Sequence, residues 1–192
     1  DDIQNYCKDE DIKCFRGSEE DVLERMYLAA KEFRADPIMR ITADCPLIDP
    51  EVLSNQIKKF DKDKLDYSYL GLSFAEGICA DLFTFSVLEE AHHLAKLKAQ
   101  REHVTPYFHD NKTKFNILCL ENIRDDSKYR IVVDTPDDFE VVKRIIEDLY
   151  KGDENIPSTY EIISYLDQNP DTYSLNSLVV RNESYDVFKV SK

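Results

Sequence analysis

Apolar and polar positions along the chain follow two patterns, a helical period and short β-rich runs. In the first pattern apolar residues recur every three or four positions, which predicts helices with one buried face. Capping residues mark several starts: Ser18, Asp49 followed by Pro50, and Thr135 followed by Pro136. Helices are predicted at residues 3–7, 19–34, from 49 onwards, 87–95, 135–149 and 160–166.

Runs rich in β-branched and aromatic residues separate these helices and predict strands. The predicted strands cover residues 12–15, 37–42, 66–70, 78–85, 115–120 and 129–133. Strands that alternate with helices indicate an α/β fold with a mostly parallel sheet and helices on both faces.

The chain has the size of one compact domain, with 192 residues of which 42% are hydrophobic. Its start reads as the second half of an α/β unit, so a first strand and the loop after it are expected to be missing. Apolar surface should then be exposed where that strand would pair. After Gly152 the pattern weakens. We therefore predict an N-terminally truncated α/β core at 1–151 and a C-terminal helical appendage at 152–192.

Composition excludes several classes of function. The net charge of -14 argues against binding nucleic acid phosphates or an anionic membrane. No apolar run reaches the ~20 residues that span a bilayer, and the start resembles no targeting peptide, so a cytoplasmic location is predicted. Five scattered cysteines without a CxxC pair predict reduced thiols. Four unclustered glycines exclude the P-loop and the GxGxxG loop.

Two aspartates stand where ligands bind in open α/β sheets, just after a predicted strand and before a helix. They are Asp44 and Asp134. Because Mg²⁺ takes one or two protein carboxylates and leaves its other positions to water and substrate phosphates, the pair predicts a metal-nucleotide site. The alternative is that each aspartate only caps the turn that follows it.

Four motifs in order along the chain carry a resemblance to a known family. They are Phe15–Arg25 (FRGSEEDVLER), Arg40–Pro50 (RITADCPLIDP), Arg101–Tyr107 (REHVTPY) and Val133–Phe139 (VDTPDDF). Together with the tail around Arg181 and Tyr185, they resemble the spore-coat polysaccharide biosynthesis branch of the cytidylyltransferases. That branch is similar to the synthetases of CMP-sialic acid and CMP-3-deoxy-manno-octulosonate.

The resemblance implies a Rossmann-type, three-layer α/β/α fold of the glycosyltransferase-A-like kind. It implies transfer of a cytidylyl group from CTP to a sugar acid with release of pyrophosphate. Asp44 and Asp134 match the family's metal aspartates, so Mg²⁺ is the implied cofactor. A homodimer is a further expectation, since relatives are commonly dimers.

The same resemblance suggests residues for the two substrates. The candidates for nucleotide binding are Ser18, Asp21, Thr42 and Ala43. The candidates for sugar binding are Glu76, Gly77, Asp81, Arg101 and His103. The family's sugar-binding segment matches Ala75–Asp81, called the sugar segment below, and there Cys79 replaces the family's middle aspartate. The chain also departs where Val132 replaces an aspartate of the sialic-acid branch.

Two other functions fit parts of the sequence. A glycosyltransferase of the same broad fold would use a DxD triplet after a central strand, but Asp61-Lys62-Asp63 ends a predicted helix. A non-catalytic interaction domain would keep the scaffold alone. A zinc site is not favoured, because the four histidines show no metal-ligand spacing. They are His92, His93, His103 and His109.

Overall fold

The computed structural model describes residues 1–152 and 156–181. Most of the tail that carries part of the family resemblance, including Tyr185, lies outside the described residues. The helices are α1 (Asp2–Asp9), α2 (Val22–Phe33), α3 (Pro50–Asp63), α4 (Phe85–Leu94), α5 (Lys98–His103), α6 (Pro106–Asp110), α7 (Pro136–Leu149), α8 (Thr159–Gln168) and α9 (Pro170–Tyr173). The strands are β1 (Ile38–Arg40), β2 (Tyr67–Leu70), β3 (Asp81–Phe83) and β4 (Ile117–Leu120).

Backbone contacts divide the chain into two compact units. The first unit holds Asp1–Ile38 and Phe83–Phe115, and the second holds Met39–Leu82 and the chain from Asn116 onwards. The division at residue 151 stays a prediction, and the described residues on both sides of it belong to the second unit.

The four strands form one sheet in the order β1-β3-β2-β4. Strands β2 and β4 pair in parallel, with Tyr67 opposite Ile117 and Leu70 opposite Leu120. Gln56 of α3 is buried beneath this sheet, and its amide nitrogen donates to the carbonyl oxygens of Ser68 and Ala80 at 3.1 and 3.2 Å. The prediction of a mixed α/β fold is confirmed.

The core of the second unit joins the loops around the sheet to the C-terminal helices. Ile131 is fully buried in it beside Val141 and Ile145 of α7. Ile162 and Ile163 of α8 belong to the same cluster and are also fully buried. The helix that the sequence predicts at 160–166 therefore completes this core.

In the first unit, α2 begins three residues later than predicted. Asp21 is its N-cap, because its Oδ1 atom accepts from the Glu24 backbone N–H at 2.9 Å. Ser18 lies one turn earlier, and its hydroxyl accepts from the Asp21 N–H at 2.9 Å. The buried face of α2 carries Leu23, Tyr27 and Ala30.

Three predicted strands are wrong in whole or in part, and the one predicted at 78–85 is shortened to Asp81–Phe83 because Phe85 begins α4. Residues 12–18 form no regular element, and the side chains of Ile12 and Cys14 are exposed instead of packing against the described core. Residues 129–133 form only an isolated parallel bridge between Arg130 and Glu76. The backbone of this segment instead pairs with Glu76 and Asp44, neither of which lies in one of the four strands.

Within residues 1–152 and 156–181, no helix combines the length and the apolar content needed to cross a membrane.

Candidate active site

The segments that carry Asp44 and Asp134 lie side by side in the second unit. The backbone N–H of Val133 donates to the carbonyl oxygen of Asp44 at 2.8 Å. Asp44 lies in the turn between β1 and α3, and its side chain is half-buried. Asp134 lies in the turn that leads into α7, and its side chain is 52% exposed. This hydrogen bond brings the two turns together. Neither aspartate directly follows a strand, since β1 ends at Arg40 and residues 129–133 form only an isolated bridge.

Local sequence explains why the chain turns at Asp134. Thr135 is the N-cap of α7, and its hydroxyl accepts from the Asp138 N–H at 3.2 Å. The Asp138 carboxylate accepts in return from the backbone N–H groups of Asp134 and Thr135, at 3.1 and 3.0 Å. This reciprocal capping holds the first turn of the helix and sets the backbone position of Asp134.

Arg130 holds three carboxylates of this site, and the sequence analysis did not select it. Its guanidinium contacts Glu76 at 2.7 Å, Asp134 at 2.8 Å and Asp138 at 2.8 Å. Only 7% of its side chain is exposed. The sequence did contain one sign of its importance, because Arg130 is the single charged residue in the apolar run 129–133. A charge buried there requires partners of opposite charge. Its three partners lie in different segments, which that signal does not identify.

Asp138 is a fully buried carboxylate. Burial alone would raise its pKa, but hydrogen bonds from Arg130 and from the Asn176 amide outweigh burial and hold the pKa of Asp138 well below its usual range. Asn176 donates to Asp138 Oδ1 at 2.8 Å and to the Arg130 carbonyl oxygen at 3.1 Å. Arg130 and Asn176 therefore favour the ionised form of the Asp138 carboxylate.

Glu76 and Gly77, two predicted sugar-binding residues, pack against residues 129–133, called the Arg130 segment below. The Glu76 N–H donates to the Tyr129 carbonyl at 2.9 Å, and the Glu76 carbonyl accepts from the Ile131 N–H at 2.7 Å. Gly77 has a φ of +106°, and a Cβ atom there would lie 2.6 Å from the Ile131 carbonyl carbon. Only glycine allows this close approach, so Gly77 has a clear structural role beside any part in binding.

Asp81, another predicted sugar-binding residue, is engaged within the sheet. Its carboxylate accepts from the Tyr67 hydroxyl at 2.6 Å and pairs with Arg40 at 3.1 Å. About one sixth of its side chain is exposed. These contacts fix the position of the Asp81 carboxylate at the beginning of β3.

Two thiols lie beside Asp44. The sulfur atoms of Cys45 and Cys79 are 3.1 Å apart, and the hydroxyl of Thr42 lies 3.4 Å from the Cys45 sulfur. The hydrogen bond between the thiols raises the pKa of Cys45, with burial adding to the effect, and lowers the pKa of Cys79. Thr42 is half-buried and Ala43 is exposed.

The remaining predicted site residues belong to the first unit. Arg101 donates from Nε and Nη2 to Asp21 Oδ2, at 2.9 and 2.5 Å, and from Nη1 to the His92 carbonyl at 2.7 Å. Burial opposes ionisation of Asp21, but hydrogen bonds from Arg101 and Glu24 prevail and lower its pKa. His103 lies two residues after Arg101, at the end of α5, and is half-buried.

Other candidate groups carry no comparable geometry. Asp61 and Asp63 are exposed at the end of α3, as expected for a solvated charge cluster. His92 stacks on Tyr27 with ring centroids 4.2 Å apart. Burial, with the nearby Arg101 cation, lowers the pKa of His92, as expected for an imidazole in a packed environment.

The donor set at the candidate site fits a hard cation that needs few protein ligands. Among the residues that the structure describes, no group of three or more His, Cys, Asp or Glu side chains is arranged to hold a metal ion. A closed protein cage is thus not formed there. Mg²⁺ needs only one or two protein carboxylates, and the two adjoining turns offer the exposed Asp134 and the half-buried Asp44.

This α/β fold, with acidic residues at turns beside the sheet, is that of a nucleotidyltransferase. The family described as cytidylyltransferase matches residues 1–179, and the chain belongs to it. A cytidylyltransferase structure from Leptospira borgpetersenii is similar with a TM-score of 0.83 and 33% identity, over 90% of this chain and 73% of the other. The prediction of this family from the four sequence motifs is confirmed.

Two relatives extend the comparison. An uncharacterised protein of Methanocaldococcus jannaschii is 37% identical over 187 residues, which cover 95% of this chain and 74% of the relative. The spore coat polysaccharide biosynthesis protein SpsF of Bacillus subtilis is 31% identical over 173 residues, which cover 88% of this chain and 70% of the relative.

Proposed function

We propose that the protein transfers a cytidylyl group from CTP to a sugar acid and releases pyrophosphate. Membership of the cytidylyltransferase family supports the reaction class. Similarity to a spore coat polysaccharide biosynthesis protein supports a role in building a surface polysaccharide or glycoconjugate. The observation that carries the assignment of the site is the hydrogen bond between Val133 and Asp44, which brings the two candidate metal aspartates onto adjoining turns.

Asp44 and Asp134 are the residues that would hold Mg²⁺. The cation would supply positive charge to the CTP phosphates, which stabilises charge that develops while a sugar hydroxyl attacks the α-phosphorus in line. The reaction itself requires little covalent chemistry from the protein, so the protein contributes position and electrostatic field.

The chain's own residues supply that position. Arg130 donates a hydrogen bond to Asp134 Oδ2. This bond fixes the rotamer of the Asp134 side chain, which is about half exposed. Asp138 fixes Arg130 in turn through two hydrogen bonds. Glu76 reaches the same guanidinium from the predicted sugar segment, so Arg130 couples the aspartate of the metal site to that segment.

The alternatives from the sequence analysis have weaker support. A glycosyltransferase would need a DxD triplet at a strand end, whereas Asp61 and Asp63 are exposed at the end of a helix. A non-catalytic scaffold would retain the fold without turnover, and the experiment below separates it from an enzyme.

The test is pyrophosphate release from CTP with a panel of sugar acids, alongside neutral sugars and with UTP, ATP and GTP in place of CTP. We expect release that requires CTP, a sugar acid and Mg²⁺, and that stops when EDTA removes the cation. An Asp63→Asn variant is the matched control, since this exposed carboxylate lies outside the proposed site. Turnover of a nucleotide sugar with an acceptor, but none of CTP, would instead identify a glycosyltransferase. No turnover of either kind, in a protein that also carries the expected N-terminal strand and loop, would favour the scaffold.

A further inference from the structure

Cys45 and Cys79 form a thiol pair that the proposed reaction does not use. They are 34 positions apart in the sequence, yet their sulfur atoms are 3.1 Å apart. A disulfide bond is about 2.0 Å long, so the sulfurs need to approach by only about 1 Å to form one. Both cysteines lie in the second unit, and the contact therefore belongs to one compact part of the chain.

The surroundings of the two thiols differ in a way that assigns them different roles. Cys45 is buried, with 5% of the residue exposed, whereas Cys79 is partly exposed. A reagent from solution therefore reaches Cys79 first. Cys45 is then in place, within the protein, to react with whatever is attached to Cys79.

We propose that Cys45 and Cys79 form a reversible disulfide by exchange with a low-molecular-weight disulfide such as oxidised glutathione. In the first step Cys79 sulfur attacks one sulfur of the reagent, its S–S bond breaks, and one thiol molecule leaves with the proton from Cys79. In the second step Cys45 sulfur attacks Cys79 sulfur, the mixed disulfide breaks, and the second thiol molecule leaves with the proton from Cys45. The two cysteines are oxidised and the reagent disulfide is reduced to two thiols.

The bond would join two segments of the candidate site. Cys45 follows Asp44 directly, and Cys79 lies between Gly77 and Asp81 in the predicted sugar segment. A covalent link between them would constrain the turn that carries Asp44 against that segment. Transient disulfides of this type are characteristic of redox-responsive proteins rather than of structural frameworks.

Peptide mapping tests the proposal without relying on the reaction. Each of the five cysteines lies on a different tryptic peptide, with Cys45 in 41–58 and Cys79 in 65–96. The folded protein is incubated with oxidised glutathione, its free thiols are alkylated after denaturation, and the digest is analysed by mass spectrometry. We expect a linked pair of peptides 41–58 and 65–96, loss of two of the five free thiols, and full reversal by dithiothreitol.

Single variants test the order of the two steps. Cys45→Ser should accumulate one glutathionyl group on Cys79, because the resolving thiol is absent. Cys79→Ser should leave Cys45 largely reduced, because that thiol is buried. Cys119→Ser is the matched control, and it should retain the link between peptides 41–58 and 65–96.

The opposite results are equally clear. Two thiols that stay free in the folded wild-type protein, or that each carry a glutathionyl group without a link, would overturn the proposal. The proposal would also be overturned if the folded protein formed the same mixture of linked cysteine peptides as the protein unfolded in urea. All of these readouts count thiols and peptides, so they are independent of whether CTP is the substrate.

Discussion

Arg130 and Asp138 form an ion pair with two hydrogen bonds, 2.8 and 2.9 Å long, and both side chains are removed from solvent. Asp138 also caps the turn that carries Asp134, while Arg130 contacts Asp134 directly. The pair therefore links the stability of the second unit to the geometry of the candidate site. Breaking the ion pair should lower the stability of the second unit and disturb the geometry of the candidate site.

Removal of the guanidinium is expected to cost much stability. Arg130→Met keeps a long side chain but leaves the buried Asp138 carboxylate without its cation, which costs about 3–5 kcal/mol in comparable cases. The free energy of unfolding in urea measures the loss. Arg144→Met is the matched control, because Arg144 pairs with Glu140 at 2.8 Å on a partly exposed helix face. That pair should contribute at most about 1 kcal/mol. Equal losses in the two variants would contradict the importance of the buried pair.

The same ion pair predicts a pH dependence. Although burial would raise it, the pKa of Asp138 is depressed by the hydrogen bonds from Arg130 and Asn176. A depressed carboxylate stabilises the fold above its unfolded-state pKa of about 3.9, and this contribution is lost as pH falls toward the folded-state pKa. The difference in unfolding free energy between the wild type and Asp138→Asn should therefore be largest above about pH 5 and should shrink as pH falls.

A double comparison isolates the cause of that pH dependence. In an Arg130→Met background the cation that holds the Asp138 carboxylate in its ionised form is absent. In that background, the effect of Asp138→Asn on the free energy of unfolding should depend much less steeply on pH than it does in the wild type. An unchanged slope would mean that Arg130 is not what depresses the pKa of Asp138. Urea unfolding at several pH values between 3 and about 7 measures all four proteins, since it covers the range where aspartates titrate.

Local chemistry made some features predictable and non-local contacts made others unpredictable. Thr135 and Asp49 were predicted to cap helices, and both do so through hydrogen bonds to residues two or three positions away. The sequence could not show that Asp49 also accepts from the Thr159 N–H, 110 positions further along, at 2.7 Å. The strand predicted at 12–15 failed for the complementary reason, because β-rich composition alone supplies no pairing partner.

The candidate site shows the same limit. Two of the four family motifs contain Asp44 and Asp134, and each motif is contiguous in sequence, so these turns could be selected as candidates from the sequence. Arg130, the partner of Asp134, was not predicted. Its guanidinium also pairs with Glu76 and Asp138, and a sequence does not reveal which acidic residues contact one guanidinium. That Asp21 and Arg101 pair, 80 positions apart, was likewise not predictable from spacing.

Gly77 offers a direct test of how tightly the predicted sugar segment packs on the Arg130 segment. Alanine there would meet backbone atoms of Ile131 and Val132 at 2.6–2.7 Å and would also be strained by the positive φ. Gly152→Ala is the matched control, because its φ is +116° but none of the residues that the structure describes lies within 4 Å of the added carbon. Both variants carry the conformational cost of a side chain at positive φ. Overpacking should lower the free energy of unfolding of Gly77→Ala by about a further 1–3 kcal/mol. Thermal and urea unfolding would detect the difference, and similar losses would show that the close approach is easily relieved.

The last prediction concerns the two aspartates on adjoining turns, in a protein that also includes the expected N-terminal strand and loop. Asp44→Asn and Asp134→Asn keep side-chain shape but remove the charge that would hold Mg²⁺ against the triphosphate. Loss of about 3 kcal/mol of transition-state stabilisation slows a reaction roughly 100-fold or more. Because Asp134 is half exposed, its substitution should change the free energy of unfolding by less than about 1 kcal/mol. Pyrophosphate release from CTP, measured beside thermal melts of the same proteins, gives both quantities.

The two measurements together separate a metal-binding role from a structural one. Losses of turnover that excess Mg²⁺ partly restores, with melting temperatures near that of the wild type, are what a weakened cation site requires. Wild-type turnover in both variants would mean that the aspartates only cap their turns, as Asp49 does at the start of α3. Parallel losses of turnover and melting temperature would mean that Asp134 acts mainly as a partner of Arg130 in the fold. Asp63→Asn, which removes a carboxylate of equal charge at an exposed helix end, should leave both quantities unchanged and so excludes an effect of net charge alone.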